Sequence, residues 1–172
     1  MRNRTVRVRS PLALARAGLA VAALAVSAGA CDKSGGTNAP AAGEAIAVPP
    51  ATFAPDSHAS DAVQAECGLQ ESLPRYVEKY SRGRAVYAPS GEAASGKVLE
   101  ITITNVVAPA GGAFSGPKHM KIHARLLDGG QEVDSVDVDR STTQGGYGNC
   151  DMLRRIAAAL GKDLARWLAS RG

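Results

Sequence analysis

Three segments in the second half of the chain alternate apolar and polar residues with a period of two. They are Lys97–Val107, Lys118–Asp128 and residues 131–140. Such alternation is typical of strands that bury one face. The apolar positions are Leu99, Ile101 and Ile103 in the first segment, Met120, Ile122, Ala124 and Leu126 in the second, and Val136 and Val138 in the third. The pattern predicts three antiparallel strands with one apolar face.

A tight turn joins the second and third segments. It reads Asp128-Gly129-Gly130, and glycine accepts the positive φ that a two-residue hairpin turn requires. The polar faces of the two strands carry opposite charges, and such cross-strand pairs stabilise a sheet by roughly 0.2–1 kcal/mol each. The opposed residues are Lys121, His123 and Arg125 on one strand, and Asp134, Asp137 and Asp139 on the other.

Apolar residues recur at helical spacing in residues 69–81 and 150–170. Proline suits the first turn of a helix, so Pro74 predicts that the first helix begins at Leu73 with Ser72 as its cap. For the second helix we expect Asn149 as the cap. Gly161 in its interior costs about 1 kcal/mol relative to alanine and indicates close packing.

These elements predict an α+β fold: a two-layer sandwich of a three- to four-stranded antiparallel sheet with two helices on one face. Residues 60–66 are compatible with either a short strand or a helical lead-in. A fourth strand would lie before the first helix or in residues 84–87.

The first thirty residues have the parts of a secretory signal. Four arginines (Arg2, Arg4, Arg7 and Arg9) precede an apolar run, residues 17–30, that ends in small residues before Cys31. The run is too short to span a bilayer, which takes about 20 apolar residues. The ending resembles a bacterial lipoprotein signal, in which the cysteine is acylated and becomes the new N-terminus, although Ala28 stands where that signal prefers leucine. An ordinary cleaved signal, leaving Cys31 a plain thiol, is the alternative.

We therefore expect three regions: a signal peptide in residues 1–30, a lipidated Cys31 with a disordered tether in residues 31–56, and a single α/β domain in residues 57–172. The tether is predicted from its Gly, Ala, Pro, Ser and Thr content. Five of the 20 basic residues lie in the signal, which leaves 15 against 16 acidic residues. A mature chain of charge −1 has no basic face for nucleic acid, so we expect no nucleic-acid partner.

The chain has three cysteines, and acylation of Cys31 would leave Cys67 and Cys150 as the two free to pair. Two cysteines in an exported domain usually form one disulfide, which here would tie the N-termini of the two helices together across the sheet. The alternative is a redox or metal site. No CxxC motif occurs, and the three histidines, His58, His119 and His123, do not cluster near either cysteine in the sequence.

The remaining histidine and acidic residues predict no metal site, no cofactor and no catalytic residue. His119 and His123 would lie about 13 Å apart on a strand, too far to share one ion. The acidic run Asp134, Asp137 and Asp139 lacks the spacing of a calcium loop. Both groups are expected to be solvated polar faces.

Two glycine-rich loops occupy residues 111–116 and 144–148. The second leads into a helix N-terminus, a place that favours anions, but neither loop has a phosphate-loop or dinucleotide signature. Ser115 and Ser141 lack the GxSxG context of a nucleophile. Phe114 and Tyr147, each set among glycines, are predicted to form an exposed contact patch.

Several short motifs between residues 67 and 167 carry a resemblance. They are Cys67-Gly68-Leu69-Gln70 with Leu73-Pro74, Ser115-Gly116-Pro117-Lys118, Arg140-Ser141-Thr142 with Gly145-Gly146, Cys150, Leu160-Gly161-Lys162-Asp163, and Trp167-Leu168. In these the chain resembles a group of uncharacterised envelope lipoproteins and periplasmic proteins of proteobacteria. The order of elements is also similar to small α/β domains of secretion and assembly lipoproteins, such as the curli-secretion type. The resemblance implies a fold, and no catalytic residue, cofactor or substrate.

The sequence thus predicts a lipid-anchored envelope lipoprotein that faces the periplasm and acts as a non-enzymatic binding or assembly module. Its expected partners are the membrane, through the lipid, and another envelope protein. Whether the inner or the outer membrane holds it stays open. The alternative is a small-ligand-binding or enzymatic periplasmic domain with its site near the glycine-rich loops.

Overall fold

The chain forms a six-stranded sheet with three helices. The computed structural model describes residues 45–91, 96–109, 116–143 and 148–171. The strands are β1 (Ile46–Val48), β2 (Thr52–Phe53), β3 (Ala85–Tyr87), β4 (Lys97–Val107), β5 (Lys118–Asp128) and β6 (Gln131–Thr142). The helices are α1 (Asp61–Glu66), α2 (Leu69–Tyr80) and α3 (Asn149–Ala169).

The sheet is mixed, in the order β3-β1-β4-β5-β6, with β2 also paired to β4. β4, β5 and β6 are antiparallel, whereas β1 is parallel to both β3 and β4, and β2 is parallel to β4. The predicted three- to four-stranded antiparallel sheet is therefore wrong in size and in direction. β3 lies where the sequence predicted a fourth strand, in residues 84–87, and this expectation is confirmed. The added strands β1 and β2 have three and two residues, too few to show an alternating pattern.

The predicted hairpin is confirmed. β4 and β5 have the predicted bounds, and β6 runs two residues further than expected. Gly129 and Gly130 have φ values of 56° and 83° between the paired residues Asp128 and Gln131. Both glycines therefore have the positive φ that the turn requires.

The helices α2 and α3 pack side by side over one face of the sheet, which confirms two layers. The core between the layers holds the predicted apolar rows of β4 and β5, and the apolar stripes of both helices. Its fully buried members include Leu73, Val77, Ile103, Ile122 and Leu160. Fully burying one such side chain contributes about 1.5–3 kcal/mol, so this layer contact dominates the stability of the fold.

The predicted start of the first helix is wrong. α2 begins at Leu69, and Pro74 lies inside it. A proline has no N–H to donate to the carbonyl four residues earlier, here that of Gln70. The backbone N–H of Ala51 donates to this carbonyl instead, at 2.8 Å. A hydrogen bond from outside the helix therefore replaces the one that Pro74 cannot make.

The predicted tether is wrong at its C-terminal end. Residues 46–53 contain β1 and β2, and Ala47, Val48 and Ala51 are buried. β1 lies between β3 and β4 in the sheet, so this segment is part of the folded domain and covers one end of the core.

The ambiguous residues 60–66 form the helix α1, whose cap Ser60 accepts a hydrogen bond from the N–H of Val63.

The start of α3 also differs from the prediction. Its cap is Gly148, with a φ of 141°, and Asn149 is the first helical residue. The Asn149 amide donates to the carbonyl of Ala108 instead of capping the helix.

No helix in the described part of the chain has the length and apolar character to cross a membrane.

Candidate functional site

The predicted disulfide between Cys67 and Cys150 is present. Their Cα atoms lie 4.8 Å apart, within the range that a disulfide spans. Cys67 ends α1 and precedes α2, and Cys150 lies in the first turn of α3. The bond therefore joins neighbouring helices of one layer. Cys67 lies two residues before the start of α2, so the bond ties the N-termini of α2 and α3 together, as predicted.

An open cleft of about 550 Å³ adjoins the disulfide. Its walls come from α1 and from the start of α3, and they include Glu66, Gly148, Asn149 and Arg154. Gly148 is the last residue of the second glycine-rich loop. Arg154 is bonded to Asp151 at 2.6 Å, so its charge is partly neutralised within its own helix.

The face of the sheet away from the helices carries an array of ion pairs between β5 and β6. His119 lies 3.3 Å from Asp139, and His123 and Lys121 lie 3.3 Å and 3.8 Å from Asp137. Arg125 contacts Glu132 on β6 and Glu100 on β4. The two histidines are therefore on an exposed polar strand face, as predicted.

One predicted charge of this array is on the other face. Asp134 pairs with Arg171, just beyond α3, because it lies two positions before Val136 and therefore shares the helix-covered face of β6 with Val136 and Val138, whereas Asp137 and Asp139 lie on the opposite face. Arg140 also points to the helix layer and bonds Asp163 at 2.6 Å. That hydrogen bond raises the pKa of the Arg140 guanidinium above its ordinary value. These two pairs hold α3 against β6.

β6 is an edge strand of twelve residues. Among the described residues its single neighbour in the sheet is β5. An antiparallel strand turns about half of its backbone N–H and C=O groups to each side, so the outer edge offers a row of them for pairing. Val133, at the bulge, is 58 % exposed. Sequence reasoning missed this edge, since a pattern of side chains does not say which strand is outermost.

A second feature missed from sequence is Lys118, a basic residue that is fully buried. It occupies the same side of β5 as Met120 and Ile122, and its ammonium group donates to the carbonyl of Pro109. Its place in the period-two row could have revealed this, because residue 118 lies two positions before Met120. The contact ties the start of β5 to the residues that directly follow β4.

Basic residues and tyrosines gather where α2 meets β3. This basic–tyrosine surface consists of Arg75, Lys79, Tyr80, Arg82, Arg84 and Tyr87. The Arg75 guanidinium carbon is 4.3 Å from the centre of the Tyr87 ring, and the Lys79 ammonium is 5.7 Å from that of Tyr80. The net charge of −1 over residues 31–172 hid this cluster. The signal was local: four basic residues and three tyrosines lie within residues 75–87.

Three of the predicted site residues, Cys31, Phe114 and Tyr147, lie outside the described residues, as does Ser115. The contact patch and the acylation site therefore stay predictions. Within the residues that the structure describes, no group of three or more His, Cys, Asp or Glu residues could hold a metal ion.

The fold is shared with solved structures at low sequence identity. A point variant of the PelC dodecamer from Paraburkholderia phytofirmans has a TM-score of 0.52 and 17 % identity, covering 76 % of this chain and 92 % of that one. A DUF330 protein from Xanthomonas campestris has a TM-score of 0.52 and 13 % identity, covering 74 % and 86 %. These likenesses show the fold alone.

A minor lipoprotein from Acinetobacter baumannii has a TM-score of 0.41 and 12 % identity, covering 77 % of this chain and 95 % of that one. No protein-family model and no curated protein sequence matches the chain.

Proposed function

We propose that the chain is a lipoprotein of the bacterial cell envelope, acylated at Cys31, with its folded domain in the periplasm. There it acts as a non-enzymatic module that assembles with another envelope protein through the outer edge of β6. The observation that carries the assembly role is this twelve-residue edge, which has a strand neighbour on one side only among the described residues.

Export is supported by the first thirty residues and by the disulfide. A basic segment, an apolar run and small residues precede Cys31. Disulfides persist in the periplasm and on cell surfaces and are rare in the cytosol. The bond between Cys67 and Cys150 fits a domain that matures outside the cytoplasm.

Assembly through β6 follows from the chemistry of a sheet edge. An extended segment of a partner can add to such an edge by main-chain hydrogen bonds, with side-chain contacts giving specificity. Asp137 and Asp139 discourage indiscriminate pairing, because exposed charges on an edge strand oppose aggregation. The PelC structure with the same fold is a dodecamer, so this fold is compatible with a larger assembly.

Site-specific photo-crosslinking in cells tests this role. A photoreactive amino acid at Val133 is expected to capture a partner protein, identified by mass spectrometry. The matched control is Val86, a valine of the opposite edge strand that is 43 % exposed. Capture of one protein from Val133 and not from Val86 supports the proposal. The same yield from both positions, or none from Val133, contradicts it.

The cleft beside the disulfide favours a second candidate, binding of a small ligand. Its volume of about 550 Å³ lies within the range of about 300–1,000 Å³ for ligand sites. Gly148, which lines it, belongs to the loop that the sequence singled out. A ligand screen monitored by amide chemical shifts tests this candidate. Saturable shifts confined to Glu66, Asn149 and Cys150 would support it, and their absence with every compound would reject it.

A further inference from the structure

The basic residues of the basic–tyrosine surface have no acidic partners in the described part of the chain. Arg75, Lys79 and Arg82 are exposed and Arg84 is half-buried, and no carboxylate of the described residues pairs with any of them. Most other arginines of the domain are ion-paired. Even with the two acidic residues of α2 counted, residues 69–87 carry a net charge of +2. This surface is therefore suited to an anionic partner.

Its tyrosines make the same surface amphipathic. Tyr80 is 36 % exposed and stacks on Tyr76, with ring centres 6.4 Å apart. Arg75 and Lys79 lie over the rings of Tyr87 and Tyr80. Tyrosine is enriched at the boundary between lipid and water, where its ring meets apolar groups and its hydroxyl meets water. Basic groups beside such rings match the headgroup region of an anionic bilayer.

The chain enters the folded domain at this surface. The N–H of Ile46, the first residue of β1, donates to the carbonyl of Arg84 at 2.8 Å. Ile46 is fifteen positions after Cys31. Even fully extended, a chain of that length spans at most about 50 Å. If Cys31 is acylated, the anchor thus holds the basic–tyrosine surface close to the bilayer at a high effective concentration, and a weak contact is enough.

We infer that the basic–tyrosine surface docks on anionic phospholipid headgroups of the membrane that holds Cys31. The inference rests on the proposed function and deepens it, because it fixes the orientation of the domain. β3 and β6 are opposite edges of the sheet. Docking through the α2–β3 side turns the β6 edge away from the bilayer, where a partner protein can reach it.

Vesicle flotation tests the surface without the lipid anchor. Residues 37–172 form one compact unit that contains the whole described core and both disulfide cysteines, so this part can be tested alone. We expect it to float with phosphatidylcholine vesicles that contain phosphatidylglycerol and not with pure phosphatidylcholine. Binding should weaken as salt is raised, because the Debye length falls from about 10 Å at 0.1 M to about 3 Å at 1 M.

A pair of variants locates the contact. The double variant Arg75→Gln, Lys79→Gln should bind phosphatidylglycerol vesicles about tenfold more weakly, since one basic residue near an anionic surface contributes up to about fivefold. The control Lys121→Gln, Arg125→Gln removes the same charge from the exposed face of β5 and should bind as the parent does. Near-ultraviolet circular dichroism verifies that each variant is folded.

Three flotation results would overturn the inference: no flotation with phosphatidylglycerol, equal flotation with neutral vesicles, or equal losses in the two double variants. A protein partner found on this surface without lipid binding would also overturn it. Acylation is not measured by this experiment, because residue 31 is absent from the tested part. Failure of the docking surface and failure of the proposed anchor are therefore distinguishable.

Discussion

Gly161 of α3 lies directly against Tyr76 of α2. A Cβ atom at position 161 would lie 2.6 Å from the Cβ atom of Tyr76 and 3.0 Å from its carbonyl carbon. The absence of a side chain at Gly161 thus lets the two helices approach closely. The sequence predicted close packing at this glycine, and the structure confirms it.

Gly161→Ala should destabilise the domain despite the better helix propensity of alanine. The propensity gain is about 1 kcal/mol, whereas overpacking a tight contact costs roughly 1–3 kcal/mol or more, and here backbone atoms of α2 also have to move. We expect a net loss of about 1–2 kcal/mol in urea unfolding. Lys162→Ala, at the exposed neighbouring position, is the control and should change stability by less than about 0.5 kcal/mol. A Gly161→Ala variant as stable as the parent would contradict the packing.

The double variant Cys67→Ser, Cys150→Ser should lower the melting temperature by several degrees. The bond closes a loop with a sequence separation of 83 residues. The chain-entropy model gives about 4.5 kcal/mol for such a loop, and measured losses are commonly about 2–5 kcal/mol. Calorimetry of the oxidised parent and the double variant measures this. An unchanged melting curve would show that the bridge does not stabilise the fold.

Val48→Ala should show that residues 46–53 belong to the folded domain. Val48 is fully buried in β1, and truncating a buried aliphatic side chain loses both transfer free energy and packing, about 2 kcal/mol here. Val86→Ala is the matched control on the neighbouring strand, because Val86 is largely exposed, and it should cost less than about 0.5 kcal/mol. Equal effects of the two substitutions would mean that β1 does not close the core.

Removing the charge of Arg140 should loosen α3 only slightly. Arg140→Gln breaks the bond to Asp163, which also pairs with Arg166 at 3.2 Å. Exposed ion pairs contribute about 0–1 kcal/mol, so the free energy of unfolding should fall by less than about 1 kcal/mol. The loss should shrink in high salt, because screening weakens the pair in the parent. A loss that is large and independent of salt would contradict a surface ion pair.

The sequence predicted the elements that are long enough to repeat a pattern. β4 and β5 each have 11 residues, long enough to repeat the alternation of apolar and polar residues several times, and their bounds are as expected. α3 is a long amphipathic helix and was placed within one residue at each end. The hairpin turn was identified because Gly129 and Gly130 meet a specific backbone requirement. In these cases the local pattern and the tertiary packing agree.

The missed elements depend on partners distant in the sequence. β1 and β2 lie in a segment rich in alanine and proline, and their strand structure comes from pairing with β3 and β4. The early start of α2 needs the hydrogen bond from Ala51 to Gln70, nineteen residues away in the segment expected to be a tether. The β6 edge and the basic–tyrosine surface follow from strand order and from the packing of α2 on β3, which no local pattern encodes.

Metabolic labelling with radioactive palmitate tests the central claim, that Cys31 is acylated outside the cytoplasm. The parent protein should incorporate the label and lose residues 1–30. Cys31→Ser should remain unlabelled, while Cys67→Ser serves as the matched cysteine control and should still be labelled. An unlabelled parent that retains its intact leader in the cytosol would contradict the account, as would a label that persists in Cys31→Ser.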